Sequence, residues 1–317
     1  MMGLRLAFAG VLALVALPCS GQAQPKPQPG APAPSPQIQA ALKSAQAGDP
    51  APLVKLADSG DAEAQYHAGV LFIFGSASIP KDPVRGCAYE DRASARRADA
   101  MHLVGLCHQT GVGGAKDNAK AEAAYTRAAE MGNPKSKCAL GQMLMATPQQ
   151  AERGLALCKE AGQAGDVDAQ AAVGDAYFEG AAIKRDRAAA RKWYAMAAKQ
   201  NDTQAARRLG EMYANGDGGR KDTKKAIEVW TAAEKAGDPL VAILVADQLF
   251  SNLTGGKKPG PGTYGFKGGV PVADLGIVEE WYKEAQEKDP RADVKQRATY
   301  ALAIVKSLKT GAIAVKK

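Results

Sequence analysis

Along most of the chain a small residue follows an apolar one at a regular interval: Ala68-Gly69, Val104-Gly105, Leu140-Gly141, Val173-Gly174 and Leu209-Gly210, with glycine spacings of 36, 36, 33 and 36 residues. Nine residues before these glycines stand turn signals, Gly60-Asp61, Gly132-Asn133, Gly165-Asp166 and Asn201-Asp202, with Gly237-Asp238 opening a sixth unit. Six residues after them come Gly75, Gly111, Gly180 and Gly216, then Lys81-Asp82, Lys116-Asp117, Arg185-Asp186 and Lys221-Asp222. Twenty residues past the central glycine an aromatic recurs, as Tyr89, Tyr125, Tyr194 and Trp230. A period of this length, punctuated twice by turn residues, predicts a two-helix unit repeated along the chain.

Each recurring position has a physical task. The turn glycines can take the left-handed conformation that ends a helix, and the neighbouring Asp or Asn can cap the next one. The central glycine lets two helices approach closely, the second Asp opens the second helix, and Pro83 suits a first helical position. The aromatic is expected to wedge between neighbouring helices. A single unit cannot bury its apolar stripes alone, so the units must stack.

The segments Trp193-Tyr194-Ala195-Met196-Ala197-Ala198 and Ala124-Tyr125-Thr126-Arg127-Ala128-Ala129-Glu130-Met131-Gly132-Asn133 resemble the second helix and turn of Sel-one-like repeats (SLR), relatives of the tetratricopeptide repeat. The resemblance runs from about Leu56 to Glu287. It implies an all-α fold, a right-handed α-solenoid of stacked antiparallel helix pairs that holds proteins or peptides on a curved surface. Some positions depart from the pattern: Arg96-Arg97 lacks the turn glycine, and the third unit is three residues short with no loop glycine. The sixth carries Ala246 at the central position and a Gly/Pro/Lys-rich insert over 251–273.

The ends read differently. Residues 1–23 have a lone charge at Arg5, an apolar run from Leu6 to Leu17, Pro18 and a small-residue site at Gly21-Gln22-Ala23, the pattern of a secretory signal peptide. Retention of that run as a membrane anchor, or lipidation at Cys19, are weaker readings, because the run is short for a bilayer and Pro18 precedes the cysteine. Residues 24–37 form a Pro-rich linker, 38–59 are expected to supply N-terminal capping helices, 60–288 the six units, and 289–317 a C-terminal capping helix and tail. The expected location is periplasmic or secreted, without stable membrane insertion.

Export bears on the cysteines. Four remain past the signal, and in an oxidising compartment disulfides are the default. Cys87 and Cys107, and Cys138 and Cys158, are each 20 residues apart. Reflection about the intervening turn brings each pair to nearly the same height on antiparallel neighbours, so Cys87–Cys107 and Cys138–Cys158 are the expected bridges. A metal site from His102, Cys107, His108 and Cys87 is the competing idea, but no ligand spacing supports it.

Composition adds little chemistry. The chain has 317 residues, 6% aromatic, 34 of them Gly, with a formal net charge of +8. The charge favours acidic partners weakly, and export and the lack of aromatics interleaved with basic patches argue against nucleic acid. Ser78-Ile79-Pro80-Lys81 and Lys309-Thr310-Gly311 carry the letters of two penicillin-recognising motifs, but Pro80 interrupts the helix the first requires and an α-solenoid has no sheet edge for the second. No catalytic, cofactor-binding or metal-binding residues are therefore expected. The expected function is an exported scaffold that binds a protein or peptide partner in the cell envelope, with regulation of that partner as one use of the binding, and an envelope hydrolase such as a β-lactam-binding or β-lactamase-like protein is the alternative.

A partner would meet the first helices at the positions two before, one after and five after the central glycine, which share a helix face. These are His67, Val70 and Phe74 in the first unit, Leu103, Leu106 and Thr110 in the second, and Arg208, Glu211 and Asn215 in the fifth. The face changes from apolar to charged, so a peptide anchored at the apolar end is the expectation, against the alternative that the N-terminal cap covers those residues.

Overall fold

A computed structural model of the chain describes residues 34–254 and 272–310. The signal peptide, most of the Pro-rich linker, residues 255–271 of the insert, and Gly311 with the tail lie outside them. The described residues form helices and no strand: α1 (Pro36–Gln46), α2 (Ala51–Asp58), α3 (Ala62–Phe74), α4 (Pro83–Ser94), α5 (Ala98–Thr110), α6 (Asn118–Glu130), α7 (Pro134–Met145), α8 (Ala151–Gln163), α9 (Val167–Glu179), α10 (Arg187–Lys199), α11 (Thr203–Asn215), α12 (Thr223–Lys235), α13 (Ala242–Leu253), α14 (Val272–Lys288) and α15 (Ala292–Lys309). A short 3-10 turn, Pro148–Gln150, precedes α8.

The periodic punctuation explains these boundaries. Asp61, Asp82, Asp117, Asp186, Asp202 and Asp222 each accept a backbone N–H of the helix they open. Asn133 does the same for α7, and Asp166 accepts from Ala169 at the start of α9. Each such cap stabilises its helix by about 1 kcal/mol. The turn before α11 has Asn201 at φ 66°, the one non-glycine with positive φ among the described residues, where the turns before α3, α7 and α9 use Gly60, Gly132 and Gly165. At Arg97, which replaces a capping residue, α5 starts with no side-chain cap.

The described residues divide into two compact units, 34–176 with 181–184, and 177–180 with 185–254 and 272–310. In the first, α3–α4, α5–α6 and α7–α8 are consecutive packed pairs, and α1 and α2 lie at one end. Ile38, Leu42, Leu53 and Ala57 there join Ala64, Ala68, Leu71, Phe72 and Tyr89 in one buried cluster. In the second, α11–α12 pack as a pair and α13, α14 and α15 close around Ile243, Phe250, Leu275, Tyr282, Ala298 and Val305.

Close approach at the central glycines is visible in two repeats. A Cβ on Gly105 would stand 2.6 Å from ring carbons of Tyr125, and one on Gly210 would meet the indole of Trp230. Both aromatics are buried, and each is tethered by its polar end, Tyr125 Oη to Gln109 at 2.8 Å and Trp230 Nε1 to the Arg207 carbonyl at 3.0 Å. The first repeat departs from the expected wedge. Its loop from Gly75 to Asp82 is one residue longer than the loop from Gly111 to Asp117, so Tyr89 is displaced by one helical position and Glu90 fills the wedge place. Tyr89 turns instead toward Phe72, ring centroids 6.2 Å apart, and donates to Asp58 at 2.8 Å.

Candidate partner-binding face

In the first unit the first-helix face is graded. His67, Val70 and Leu103 are 3%, 4% and 1% exposed, so their side chains form a floor. Phe74, Leu106 and Thr110 on the same faces of α3 and α5 are half-buried. The corresponding positions of α7 are half-buried Ala139 and exposed Gln142 and Ala146. In the second unit, Arg208 on α11 is half-buried while Glu211 and Asn215 are exposed.

Behind this face lies a polar cluster that the residue pattern did not reveal. Glu90 is wholly buried against Gly69, and neither carboxyl oxygen has a hydrogen-bond partner. Burial pushes its pKa well above the usual carboxylate range, with Arg97 opposing and Asp99 adding to the shift. The Arg97 guanidinium lies over the Tyr66 ring, 4.7 Å from its centroid, and reaches Asp99 at 3.8 Å, while its Nε is unpartnered. Asn133 Nδ2 donates to Asp99 at 2.8 Å, which ties the start of α5 to the start of α7. His67, beside this group, is held neutral by burial and by Arg97, its pKa lowered to about 4. His102 is likewise lowered to about 4 by burial, and it pairs with Ser136 Oγ at 2.9 Å.

The cysteines stand at disulfide distance in the two expected pairs, Cys87 with Cys107 at 2.02 Å and Cys138 with Cys158 at 2.17 Å. The first joins α4 to α5 across two repeats; the second lies within α7–α8, where Gly141 and Gly154 face each other closely. With Cys87 and Cys107 paired and His102 turned to Ser136, the four candidate metal ligands do not converge. Among the described residues no group of three or more His, Cys, Asp or Glu gathers as a metal site.

Ser78 and Lys81 lie on the loop after α3, not on a helix, in a shallow depression with Pro50, Phe72, Ile79 and Arg85. Lys309 is on α15 and donates to Glu279 at 2.6 Å. The two motif fragments thus lack the settings that acyl-transfer chemistry needs, and the hydrolase alternative finds no support. No helix among the described residues is long and apolar enough to cross a membrane.

The Sel1 repeat family matches residues 62–95, 98–133, 167–202 and 203–238, leaving α7–α8 unmatched. No curated protein sequence matches the chain. The fold is similar to the crystal structure of a protective antigen present in uropathogenic Escherichia coli strains that displays an SLR fold, with 17% identity, TM-score 0.60 and coverage of 88% of this chain. The chain spans 61% of that protein's length. It is also similar to a Sel1 repeat protein from Oxalobacter formigenes, with 20% identity, TM-score 0.56 and coverage of 81% of this chain and 100% of that one. These likenesses establish the fold.

Proposed function

Because the chain is a Sel1-repeat protein, we propose that it is an exported scaffold that binds a protein or peptide partner in the cell envelope. One observation carries the reading: within the first unit, the same face of successive first helices grades from a buried floor on α3 and α5 to open positions at α7. On the first unit, Phe74, Leu106 and Thr110 rim the buried His67, Val70 and Leu103, an apolar anchor site of the kind a peptide side chain fills. The second unit presents its own, polar first-helix face, with Arg208 half-buried and Glu211 and Asn215 exposed. Export accounts for the paired cysteines, which a reducing cytosol would keep open.

The test is crosslinking in intact cells followed by affinity recovery from the envelope fraction, with the native chain beside Leu106→Asp and Glu211→Lys. The expected result is one discrete crosslinked protein whose yield falls with both substitutions while circular dichroism is unchanged. An identical yield from all three, or recovery of the chain from the cytosol with free thiols, overturns the reading.

A further inference from the structure

The loop edge of the second unit concentrates charge that the sequence scatters. Residues 185–192 and 217–225 lie on separate repeats, and the fold joins them. Arg187 pairs with Asp217, the Arg191 guanidinium reaches the Arg220 carbonyl at 3.5 Å, and Gly218 lies against the Arg187 carbonyl so closely that no side chain would fit. Together these segments hold eight Lys or Arg and three Asp, a net of +5 (8 − 3), against +8 for the whole chain. The matching segments of the first unit, 81–88 and 112–120 counted from Asp82 and Asp117, hold four cations and two carboxylates, a net of +2 (4 − 2). The charge is therefore specific to one edge and is not a property of the repeat.

Local acids neutralise only part of it. Asp186 spends an oxygen on the backbone N–H of Ala189, Asp222 spends one on that of Lys225 and pairs with the Lys225 ammonium at 3.7 Å, and Asp217 is taken by Arg187. Lys192, Arg220, Lys221 and Lys224 are exposed and have no carboxylate in reach among the described residues. Cations also converge: Arg191 and Lys225 share the Tyr213 ring, at 3.7 and 5.8 Å from its centroid. Holding like charges together costs free energy unless an anion relieves it.

We infer that this edge docks an acidic protein segment, a run of Asp and Glu side chains. The inference rests on the protein-binding reading above but not on the first-helix face. Two features select this occupant over other polyanions. The faces of Phe178 and Tyr213 are already covered by Arg187, Arg191 and Lys225, so they are not free to stack on nucleic-acid bases. None of the exposed large apolar side chains lies on these segments, so the edge has nothing to insert into a lipid surface. Carboxylates on a flexible chain need neither, only the guanidinium and ammonium donors present.

The experiment uses the full mature chain and a fluorescent polyglutamate peptide, read by anisotropy at low and high salt. Arms with anionic phospholipid vesicles and an oligothymidylate run in parallel. Saturable, salt-sensitive peptide binding is expected, weakened about tenfold or more by the triple reversal R220E/K221E/K224E and about twofold or less by the charge-matched first-unit reversal K81E/K116E/K120E. Circular dichroism and thermal midpoints confirm that both variants fold; if the triple reversal does not, the neutral set R220Q/K221Q/K224Q replaces it. Equal loss from both reversals, absence of peptide binding, or tighter binding to vesicles or oligonucleotide overturns the inference. Persistence of the envelope crosslink in the R220E/K221E/K224E variant would leave the scaffold reading intact while this edge fails.

Discussion

The carboxyl group of Glu90 lies over Gly69 so closely that a side chain on the glycine could not coexist with it. It occupies the place held by Tyr125 and Trp230 in other repeats, yet both of its oxygens are unpartnered. The folded protein holds the proton on Glu90 more tightly than the unfolded chain does. Its contribution to stability is therefore full below the ordinary carboxylate value of 4.5 and is lost as pH rises above it. Glu90→Gln, which cannot ionise, is expected to raise stability at pH 7.5 by on the order of 1–3 kcal/mol and to change it little at pH 4. Urea unfolding at the two pH values checks this; equal effects at both would show that ionisation is not the cause.

The histidines bend the pH profile the other way. His67 and His102 have pKa values lowered to about 4 from 6.5, so the unfolded chain takes up protons on them before the folded protein does. Their contribution is present above 6.5 and is lost as pH falls toward 4. His102→Gln, which can still bond Ser136, should flatten this acid limb by on the order of 3 kcal/mol between pH 7 and pH 4. The Glu90 limb, which starts at 4.5 and runs upward, should be unchanged by this substitution, and denaturant midpoints of the His102→Gln and Glu90→Gln variants across the pH range separate the two groups.

Cysteine pairing should be complete in the native protein. Thiol titration of the mature chain under denaturing conditions is expected to find no free thiol until reductant is added. Replacing Cys87 and Cys107 together by serine should destabilise the first unit by about 2–4 kcal/mol. Two or more titratable thiols in the unreduced protein would contradict the assignment.

Ser78 should be catalytically silent. A chromogenic β-lactam incubated with the purified protein is expected to turn over at the background rate, equally for Ser78→Ala. Turnover that this substitution abolishes would restore the hydrolase alternative.

The central glycines are positions where volume decides. Gly105→Ala would push a methyl group into the Tyr125 ring, which is held by Gln109, so a loss of about 1–3 kcal/mol is expected. Gly60→Ala meets no neighbour but must hold a φ of 94°, so its cost comes from the backbone alone. Thermal scans of the pair compare packing with conformation.

Much of this was legible because glycine, aspartate and apolar positions have local meanings. The helix pairs, the caps at Asp61 through Asp222 and the cysteine partners follow from spacing alone. The count from central glycine to aromatic runs across a loop of variable length, so in the first repeat Glu90 rather than Tyr89 faces Gly69, while Tyr89 is buried against Phe72. Counted from the capping Asp, the eighth residue is Glu90, Tyr125, Tyr194 or Trp230, and the exception stands out. The floor of the face was not legible, since burial of His67 and Leu103 depends on neighbours in other repeats. Nor was the basic edge, because residues 185–192 and 217–225 meet only when two repeats stack.

The cysteine order has a consequence for how the chain acquires its bonds. Each bridge joins a cysteine to the next one along the described sequence, and no bridge encloses or crosses the other. In a chain delivered N-terminus first, the native partner of Cys87 emerges before Cys138 does, and that of Cys138 follows it directly. An oxidase acting in order of emergence would then produce the native pattern without a later shuffling step, so maturation needs an electron acceptor but no isomerase.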